Sequence, residues 1–241
     1  MRPRFPHRIE DYARWEQYMA ARADAARSPA LAAYFAAGLP AADTPVGEVP
    51  LVGLDIETTG LDPQRDGIVS LGLVPFDCSR IDLARRRYWI VRPDCDLSSR
   101  SVTLHHITHA DVAHAPDLAT VLPEVLQAMT GRVAVVHYRH IERSFLDAAT
   151  NRCLQEPFRF PTIDTMEIEA RQHRSSLWSR WKNWLGRPPM SLRLNDSRSR
   201  YHLPYYQPHH ALIDALATAE LFQAQVATHY RGDVPIGSFC G

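Results

Sequence analysis

The sequence predicts an α/β fold, in which a mixed β-sheet is flanked by helices and preceded by an N-terminal helical extension. Two observations lead to this prediction. Three strand-like segments between residues 51 and 93 are joined by short connections, which is typical of an antiparallel meander. Beyond residue 115, helical and strand-like segments alternate, which is typical of parallel strands connected through helices. The 241 residues suit one sizeable domain with an extension.

Residues 1–44 are predicted to form the helical extension and its linker, and residues 45–241 the main domain. In the segment EDYARWEQYMAARADAA, Tyr12, Trp15 and Met19 recur near helical spacing. A shorter alanine-rich helix, PALAAYFAAGL, follows it. The segment AADTPVGEVP then has the proline and glycine content of a linker.

The main domain is predicted to begin with three strands and to continue with alternating helices and strands. The strand candidates of the meander are LVGLDI, IVSLGLVPF and RRRYWIVRP. The later elements are a helix in APDLATVLPEVLQAMTG, a strand in RVAVVH, a helix in IERSFLDAATNRCL, a strand and helix in TIDTMEIEARQ, and a last helix in HALIDALATAELFQAQVATHY.

Composition excludes several classes of protein. No segment reaches the roughly 18 apolar residues of a membrane helix, and the N-terminus has no apolar core of a secretory signal, so a cytoplasmic protein without a membrane partner is expected. The four cysteines lie far apart and indicate neither a zinc site nor a disulfide framework. The net charge is zero, but residues 171–200 carry seven Arg and one Lys against one acid, Asp196.

Two acids end the first strand candidate. Asp55 and Glu57 are two residues apart, so their side chains leave the same face of the strand. At such short range the two carboxylates repel, and either one stays protonated or a cation lies between them. A solvated strand end is the simpler alternative. The apolar residues before the pair and the Thr58-Thr59-Gly60 turn after it favour a ligand site, because threonine donors and a glycine suit a phosphate or sugar.

Two further acids begin helices. Glu142 lies in the first turn of a helix, where the helix dipole alone would favour it. Asp214 lies among apolar residues of the last helix, where an acid is seldom left unpaired. A hydrogen bond to the backbone would explain Asp214, but His209 and His210 just before it favour a catalytic or metal site.

These motifs together resemble the DnaQ-like 3′-to-5′ exonucleases of the DEDDh group, which have the ribonuclease H-like fold. The first motif is DIETTGL. The second and third motifs are carried by His137, Glu142, Phe145 and Leu146, and by His209, Asp214, Ala215, Ala217 and Thr218. The segments LHHITHADV and PTIDTMEIEAR add secondary similarity. The resemblance covers about residues 52–226, with every motif in the family's order.

The resemblance implies a two-metal nuclease site for Mg²⁺ or Mn²⁺, with the ions roughly 3.5–4 Å apart. Asp55 would bridge both ions, Glu57 and Asp214 would bind the ion that holds the attacking water, and Glu142 would lie near the second ion. The family's general base precedes its Asp by five residues, which indicates His209, whereas helical spacing alone favours His210.

The resemblance also implies substrate contacts and partners. The main chain around Thr58, Thr59 and Gly60 would hold the terminal 3′-OH, and Leu61 would wedge against the terminal base. His105 and Phe145 are further expected substrate contacts. The implied partner is the 3′ end of single-stranded DNA or RNA, and the protein could act as a homodimer or as a polymerase-associated subunit.

The sequence departs from the family at several positions. Glu142 replaces the usual Asp, Tyr138 stands where Asn is frequent, and His106 stands where Gly is common. Asp147 is a less favoured candidate for the second acid. A non-catalytic nucleic-acid-binding module and a phosphodiesterase of short oligonucleotides therefore remain alternatives.

The Arg/Trp-rich insertion at about residues 171–200 has two interpretations. Trp178, Trp181 and Trp184 recur every third residue, which fits a helix whose tryptophans pack in the core or against a subunit. Cations placed between aromatic residues also fit a nucleic-acid contact.

Overall fold

The computed structural model describes residues 9–93, 107–175, 190–230 and 232–240. The predictions for His105, His106 and the three tryptophans of the insertion fall outside the described residues.

A five-stranded mixed sheet forms the centre of the protein, as predicted. Its strands are β1 (Leu51–Thr58), β2 (Ile68–Phe76), β3 (Arg87–Ile90), β4 (Val133–Val136) and β5 (Thr162–Asp164). The strand order is β3-β2-β1-β4-β5. The first three strands pair antiparallel, and β4 and β5 continue the sheet in parallel beyond β1. The predicted meander followed by parallel strands is therefore confirmed, and β1 is the central strand.

Helices cover both faces of this sheet. In chain order the described α-helices are α1 (Ile9–Ala25), α2 (Pro29–Ala36), α3 (His109–Ala113), α4 (Leu118–Met129), α5 (His140–Leu154), α6 (Thr165–Ser175), α7 (Leu194–Arg200) and α8 (Ala211–His229). Short 3₁₀ turns occur at Val46–Glu48, Leu83–Arg85 and Ile236–Ser238.

The two faces of β1 contribute to two different core clusters, because successive side chains of a strand point to opposite faces. Val52, Leu54 and Ile56 belong to the larger cluster, which includes buried residues of α1, α2, α4 and α5. Leu51, on the opposite face, packs in a second cluster with residues of α8 such as Phe222. Asp55 and Glu57 lie on the same face as Leu51, so they point to the side of the sheet that α8 covers.

The helices α1 and α2 of the N-terminal extension pack on the rest of the protein. Tyr34 of α2 meets Phe158, which follows α5, with ring centroids 5.0 Å apart. The predicted linker is held in place by the C-terminal segment: the Val46 and Gly47 N–H groups donate to the Val234 and Gly232 carbonyls, both at 2.9 Å. The extension therefore shares the core of the main domain.

Candidate active site

Two glycines bring helix α8 into direct contact with the sheet beside the acids. A Cβ on Gly53 would lie 2.4 Å from the Ala215 carbonyl oxygen, and a Cβ on Gly72 would lie 2.3 Å from that of Ala211. Gly72 is the cross-strand partner of Asp55. Since no side chain fits at either position, the backbone of α8 packs directly against the strands. This close packing places the carboxylate of Asp214 near those of Asp55 and Glu57.

Three of the four predicted acids form one cluster. Asp55, Glu57 and Asp214 each offer a carboxylate oxygen, and these oxygens lie within 4.8 Å of one another. Glu57 and Asp214 are buried, and Asp55 is partly buried. A strand and a helix separated by about 160 residues of chain therefore bring three carboxylates together.

Burial and mutual repulsion make ionisation of this cluster costly. Burial raises the pKa of Asp55 well above its ordinary value, and the charges of Glu57, Asp214 and Glu142 raise it further. Burial also raises the pKa of Asp214, as does Glu57, while the backbone N–H of His209 lowers it. Opposite charge placed between these oxygens would reverse the effect, because it favours the ionised form.

The fourth acid, Glu142, lies in the first turn of α5 outside this group of three, and its charge contributes to the raised pKa of Asp55. It is only 3% exposed, and its Oε2 has no hydrogen-bond partner among the described residues. Burial raises the pKa of Glu142, and Asp164 and Glu57 are the acids that raise it further. A buried carboxylate oxygen without a donor is costly, so this orphaned atom indicates that Glu142 is completed by something outside the chain.

The donor set fits a divalent cation that prefers oxygen ligands. All four side chains are carboxylates, three of them converge within 4.8 Å, and the fourth has an unsatisfied oxygen. Such a set suits Mg²⁺ or Mn²⁺ better than zinc, which favours nitrogen and sulfur ligands. Asp147, the alternative second acid, accepts the Phe158 N–H at 2.9 Å instead and lies outside this group.

A residue that sequence reasoning missed, Asp164, organises the start of α5. Its carboxylate at the end of β5 accepts the backbone N–H groups of Tyr138 and Arg139, each at 3.1 Å, and that of Met166 at 3.0 Å. It therefore fixes the turn that delivers Glu142, and Tyr138 in this turn has a φ of 85°. An acid at a strand end directly before a helix was the available signal for this role.

His137, from the second motif, forms hydrogen bonds that connect several segments of the protein. Its Nδ1 lies 2.8 Å from the Thr165 hydroxyl and its Nε2 lies 2.8 Å from the Leu192 carbonyl oxygen. Burial lowers the pKa of His137, which favours the neutral ring. The side chain therefore connects the end of β4 to α6 and to the segment before α7.

The two histidines before α8 have different surroundings. The backbone N–H of His209 donates to Asp214 Oδ2 at 2.7 Å, and that of His210 donates to the same oxygen at 3.3 Å. The His210 ring stacks on Tyr88 of β3, with centroids 4.6 Å apart. His209 has a φ of 71° and an exposed side chain. Asp214 thus caps the helix and fixes both histidine backbones.

The loop after β1 uses donors that were expected to face a substrate. The Thr58 hydroxyl donates to the Gly60 carbonyl at 2.6 Å, and the Thr59 hydroxyl donates to Asp66 at 3.3 Å. These hydrogen bonds close the loop internally, and a substrate contact by Thr58 and Thr59 stays a prediction. Gly60 leaves room for this arrangement: a Cβ there would lie 2.4 Å from the Asp66 carboxylate, which would have to shift.

Two other predicted contacts have opposite outcomes. Leu61 is 81% exposed at the tip of the loop, where a substrate could reach it. Phe145 is fully buried in the larger core cluster, so its assignment as a substrate contact is corrected to a packing role beneath the site. The i and i+3 positions of α5 that place Glu142 inward also place Phe145 inward, which explains the error.

Comparison with known proteins agrees with this geometry. The model of the RNase T type family, described as exonuclease, matches residues 52–222. The chain belongs to this exonuclease family.

Relatives of this exonuclease include replication proteins. It is 26% identical over 183 residues to the DNA polymerase III subunit epsilon of Treponema pallidum, covering 76% of this chain and 79% of that protein. It is 28% identical over 180 residues to the PolC-type DNA polymerase III of Thermotoga maritima, covering 75% of this chain. The match spans only 12% of the length of that polymerase.

Solved structures show the same fold. Exonuclease X in complex with 5′ overhanging duplex DNA aligns with a TM-score of 0.56 at 25% identity, over 77% of this chain and 96% of that one. The nuclease domain of 3′hExo, a DEDDh family member bound to rAMP, aligns with a TM-score of 0.59 at 18% identity, over 75% of this chain and 92% of that one. The exonuclease thus has the predicted ribonuclease H-like fold. Within the described residues, no helix is both long and apolar enough to cross a membrane.

Proposed function

We propose that this exonuclease removes nucleoside 5′-monophosphates from the 3′ end of single-stranded or frayed DNA or RNA, with two Mg²⁺ or Mn²⁺ ions. The observation that carries the proposal is the convergence of three carboxylates within 4.8 Å beside the orphaned oxygen of Glu142. The DNA-bound and rAMP-bound relatives support a nucleic-acid substrate.

Asp55, Glu57, Asp214 and Glu142 would hold the metal ions. Bound cations of this kind lower the pKa of water and stabilise the charge that develops on a phosphodiester during hydrolysis. The protein's own contribution is to hold the carboxylates close together, which the close approach of α8 to β1 makes possible, and the bound cations would favour their ionised form. The longer side chain of Glu142 would reach the metal ions from a helix whose start is fixed by Asp164.

His209 would accept the proton of the attacking water at an imidazole nitrogen. Its backbone N–H donates to Asp214 at 2.7 Å, and its charge lowers the pKa of that acid, so His209 lies beside the metal ligands. The ring of His210 is already stacked on Tyr88, which makes it the less suitable base. An imidazole ring can accept a proton and release it again near neutral pH, which suits this role.

The terminal nucleotide would lie against the loop after β1. The exposed Leu61 would contact the terminal base, and the main chain around Thr58, Thr59 and Gly60 would face the 3′-OH. Because the loop is closed by hydrogen bonds to Asp66, this surface is largely formed before a substrate binds.

Incubation with 5′-labelled single-stranded DNA and RNA of one sequence tests the proposal. In Mg²⁺ or Mn²⁺ a ladder that shortens from the 3′ end is expected, and chelator should prevent it. Oligomers left intact in both metals would refute the proposal. Binding without hydrolysis would favour the binding-module alternative, and hydrolysis confined to the shortest oligomers would favour the oligonucleotide phosphodiesterase.

Variants of the acids assign the site. Asp55→Ala and Asp214→Ala should abolish cleavage, whereas Glu142→Asp should retain activity because it keeps a carboxylate at this position. Asp147→Asn is the matched control on the same helix and should cleave normally. Glu142→Ala with wild-type activity would show that the second acid is assigned wrongly.

Assembly with a polymerase or with a second copy stays a prediction. The similarity to polymerase III subunits supports the first alternative. Light scattering of the purified protein, alone and mixed with a polymerase III catalytic subunit, distinguishes the two.

A further inference from the structure

A basic pocket lies on α5, the helix that carries Glu142. It has a volume of about 370 Å³ and is lined by Arg139, His140, Arg143, Ser144, Asp147 and Arg159. The lining therefore contains three positively charged guanidinium groups and one negatively charged carboxylate, that of Asp147. Such an excess of fixed positive charge favours an anionic ligand.

The arginines of this pocket are held in place by different contacts. The Arg143 guanidinium lies 4.6 Å from the ring centroid of Trp15, a cation–π contact with α1. Arg139 pairs with Glu167 of α6. Arg159 is 69% exposed and approaches Asp147 only at 3.8 Å. Two guanidinium groups are thus anchored, and the third faces solvent at the pocket mouth.

The pocket and the acid cluster occupy two sides of one helix start. Arg139, Arg143 and Asp147 recur every four residues and therefore share one face of α5. Glu142 is buried and lies on a different face of the same turn. A helix with its side chains is about 10 Å across, so the pocket and Glu142 are separated by the width of α5.

We propose that this pocket binds a backbone phosphate of the nucleic-acid strand a few nucleotides before its 3′ end. The inference rests on the proposed exonuclease function for the path of the strand. Arginine forks match the geometry of phosphate oxygens and bind them through charge-assisted hydrogen bonds. Trp15 precedes the segment shared with the family, residues 52–222, so this contact would be added by the N-terminal extension.

Binding without turnover tests the pocket directly. In chelator, the affinity for a fluorescent single-stranded oligonucleotide is measured by anisotropy for wild type, Arg159→Gln and Arg85→Gln. Arg85 is a comparably exposed arginine outside this pocket. Arg159→Gln should bind about tenfold more weakly, as expected for loss of one charged hydrogen bond. Its slope of log affinity against log salt should fall by about 0.7. Arg85→Gln should match wild type.

Single methylphosphonate substitutions locate the phosphate. Each of the six phosphates nearest the 3′ end is made neutral in turn, and both proteins are titrated. At one position the difference between wild type and Arg159→Gln should disappear, because the contact is already lost. Inorganic phosphate and a free nucleoside monophosphate are added as competitors to distinguish a strand phosphate from a free anion, and neither should displace the strand at millimolar concentration.

The outcomes separate this inference from the proposed function. If Arg159→Gln binds the strand as tightly as wild type, or if its defect persists with every neutralised phosphate, the pocket is not a strand-phosphate site. Displacement by a free anion would overturn the strand assignment. If wild type binds but never cleaves in metal, the exonuclease proposal fails while the binding result stands. Arg143→Lys keeps the positive charge but lacks the paired N–H donors of a guanidinium group. This variant should weaken binding less than the double variant Arg159→Gln/Arg143→Gln.

Discussion

Neutralising Asp55 should stabilise the metal-free protein. Asp55→Asn keeps the shape of the side chain and removes one negative charge from the cluster. In the wild type, burial and the charges of Glu57, Asp214 and Glu142 raise the pKa of Asp55. Since the folded protein opposes ionisation of this group, its removal should favour folding whenever metal is absent.

The expected gain follows from the spacing of the acids. Two unit charges within 4.8 Å of one another repel by about 3.5 kcal/mol or more at an effective dielectric constant of about 20. Asp55 has two such neighbours, but uptake of a proton limits the cost. Protonating a group with an ordinary pKa of 3.8 costs about 4 kcal/mol at pH 7. The variant should therefore gain about 2–4 kcal/mol, or roughly 4–16 °C in Tm.

The direction of the pKa shift predicts how the stability of the metal-free protein changes with pH. A carboxyl whose pKa is raised by folding contributes stability that is present below its ordinary pKa and is lost as the pH rises through the raised value. Wild type in chelator should lose stability from pH 5 to pH 8, and the advantage of Asp55→Asn should widen over that range. Added Mn²⁺ should reverse the order, because only wild type retains the full ligand set.

Urea unfolding in chelator and in Mn²⁺, followed by circular dichroism at pH 5, 7 and 8, measures these differences. Asp24→Asn, which removes an exposed acid of α1, is the control and should change stability by less than about 0.5 kcal/mol. An Asp55→Asn protein that is less stable than wild type in chelator at pH 8 would refute the reasoning.

Three further variants test the scaffold around the site. Gly53→Ala should reduce cleavage by about 100-fold or more, because its Cβ would lie 2.4 Å from a carbonyl oxygen of α8 and displace the helix. Gly232→Ala is the control in the same nuclease assay, because its Cβ would lie 3.9 Å from the Cα of Gly47, an ordinary contact distance. Arg198→Met should cost about 3–5 kcal/mol in urea unfolding, since it removes a buried guanidinium that donates to the Ala217 carbonyl at 2.6 Å; unchanged stability would contradict this. Tyr138→Asn should raise Tm by about 2–4 °C in calorimetry, because Asn tolerates the φ of 85° better than Tyr, and a lower Tm would show that the tyrosine ring contributes more than the backbone strain costs.

Local patterns in the sequence were sufficient for the sheet and for half of the site. Period-two alternation places Asp55 and Glu57 on one face of a strand whatever surrounds it. Short connections among the first strands led to the antiparallel meander, which the structure confirms. The family resemblance then indicated Glu142 and Asp214 as the remaining acids.

Other features depended on contacts that local patterns do not encode. The hydroxyls of Thr58 and Thr59 were expected to face a substrate, yet Asp66 and Gly60 accept their hydrogen bonds. The two histidines before α8 differ because Tyr88, on a distant strand, stacks on only one of them. Asp164, which caps the start of α5, was not recognised as part of the site.

By itself, the sequence determined which side chains leave the central strand together and which residue types could bind metal, because strand geometry and carboxylate chemistry are local properties. Only the tertiary structure decided that Asp214 reaches Asp55, that Glu142 is buried with an unsatisfied oxygen, and that three arginines of α5 and its following loop surround one pocket. These distances join residues far apart in the chain. They are set by how closely helices pack on the sheet, and Gly53 and Gly72 allow the closest of those approaches.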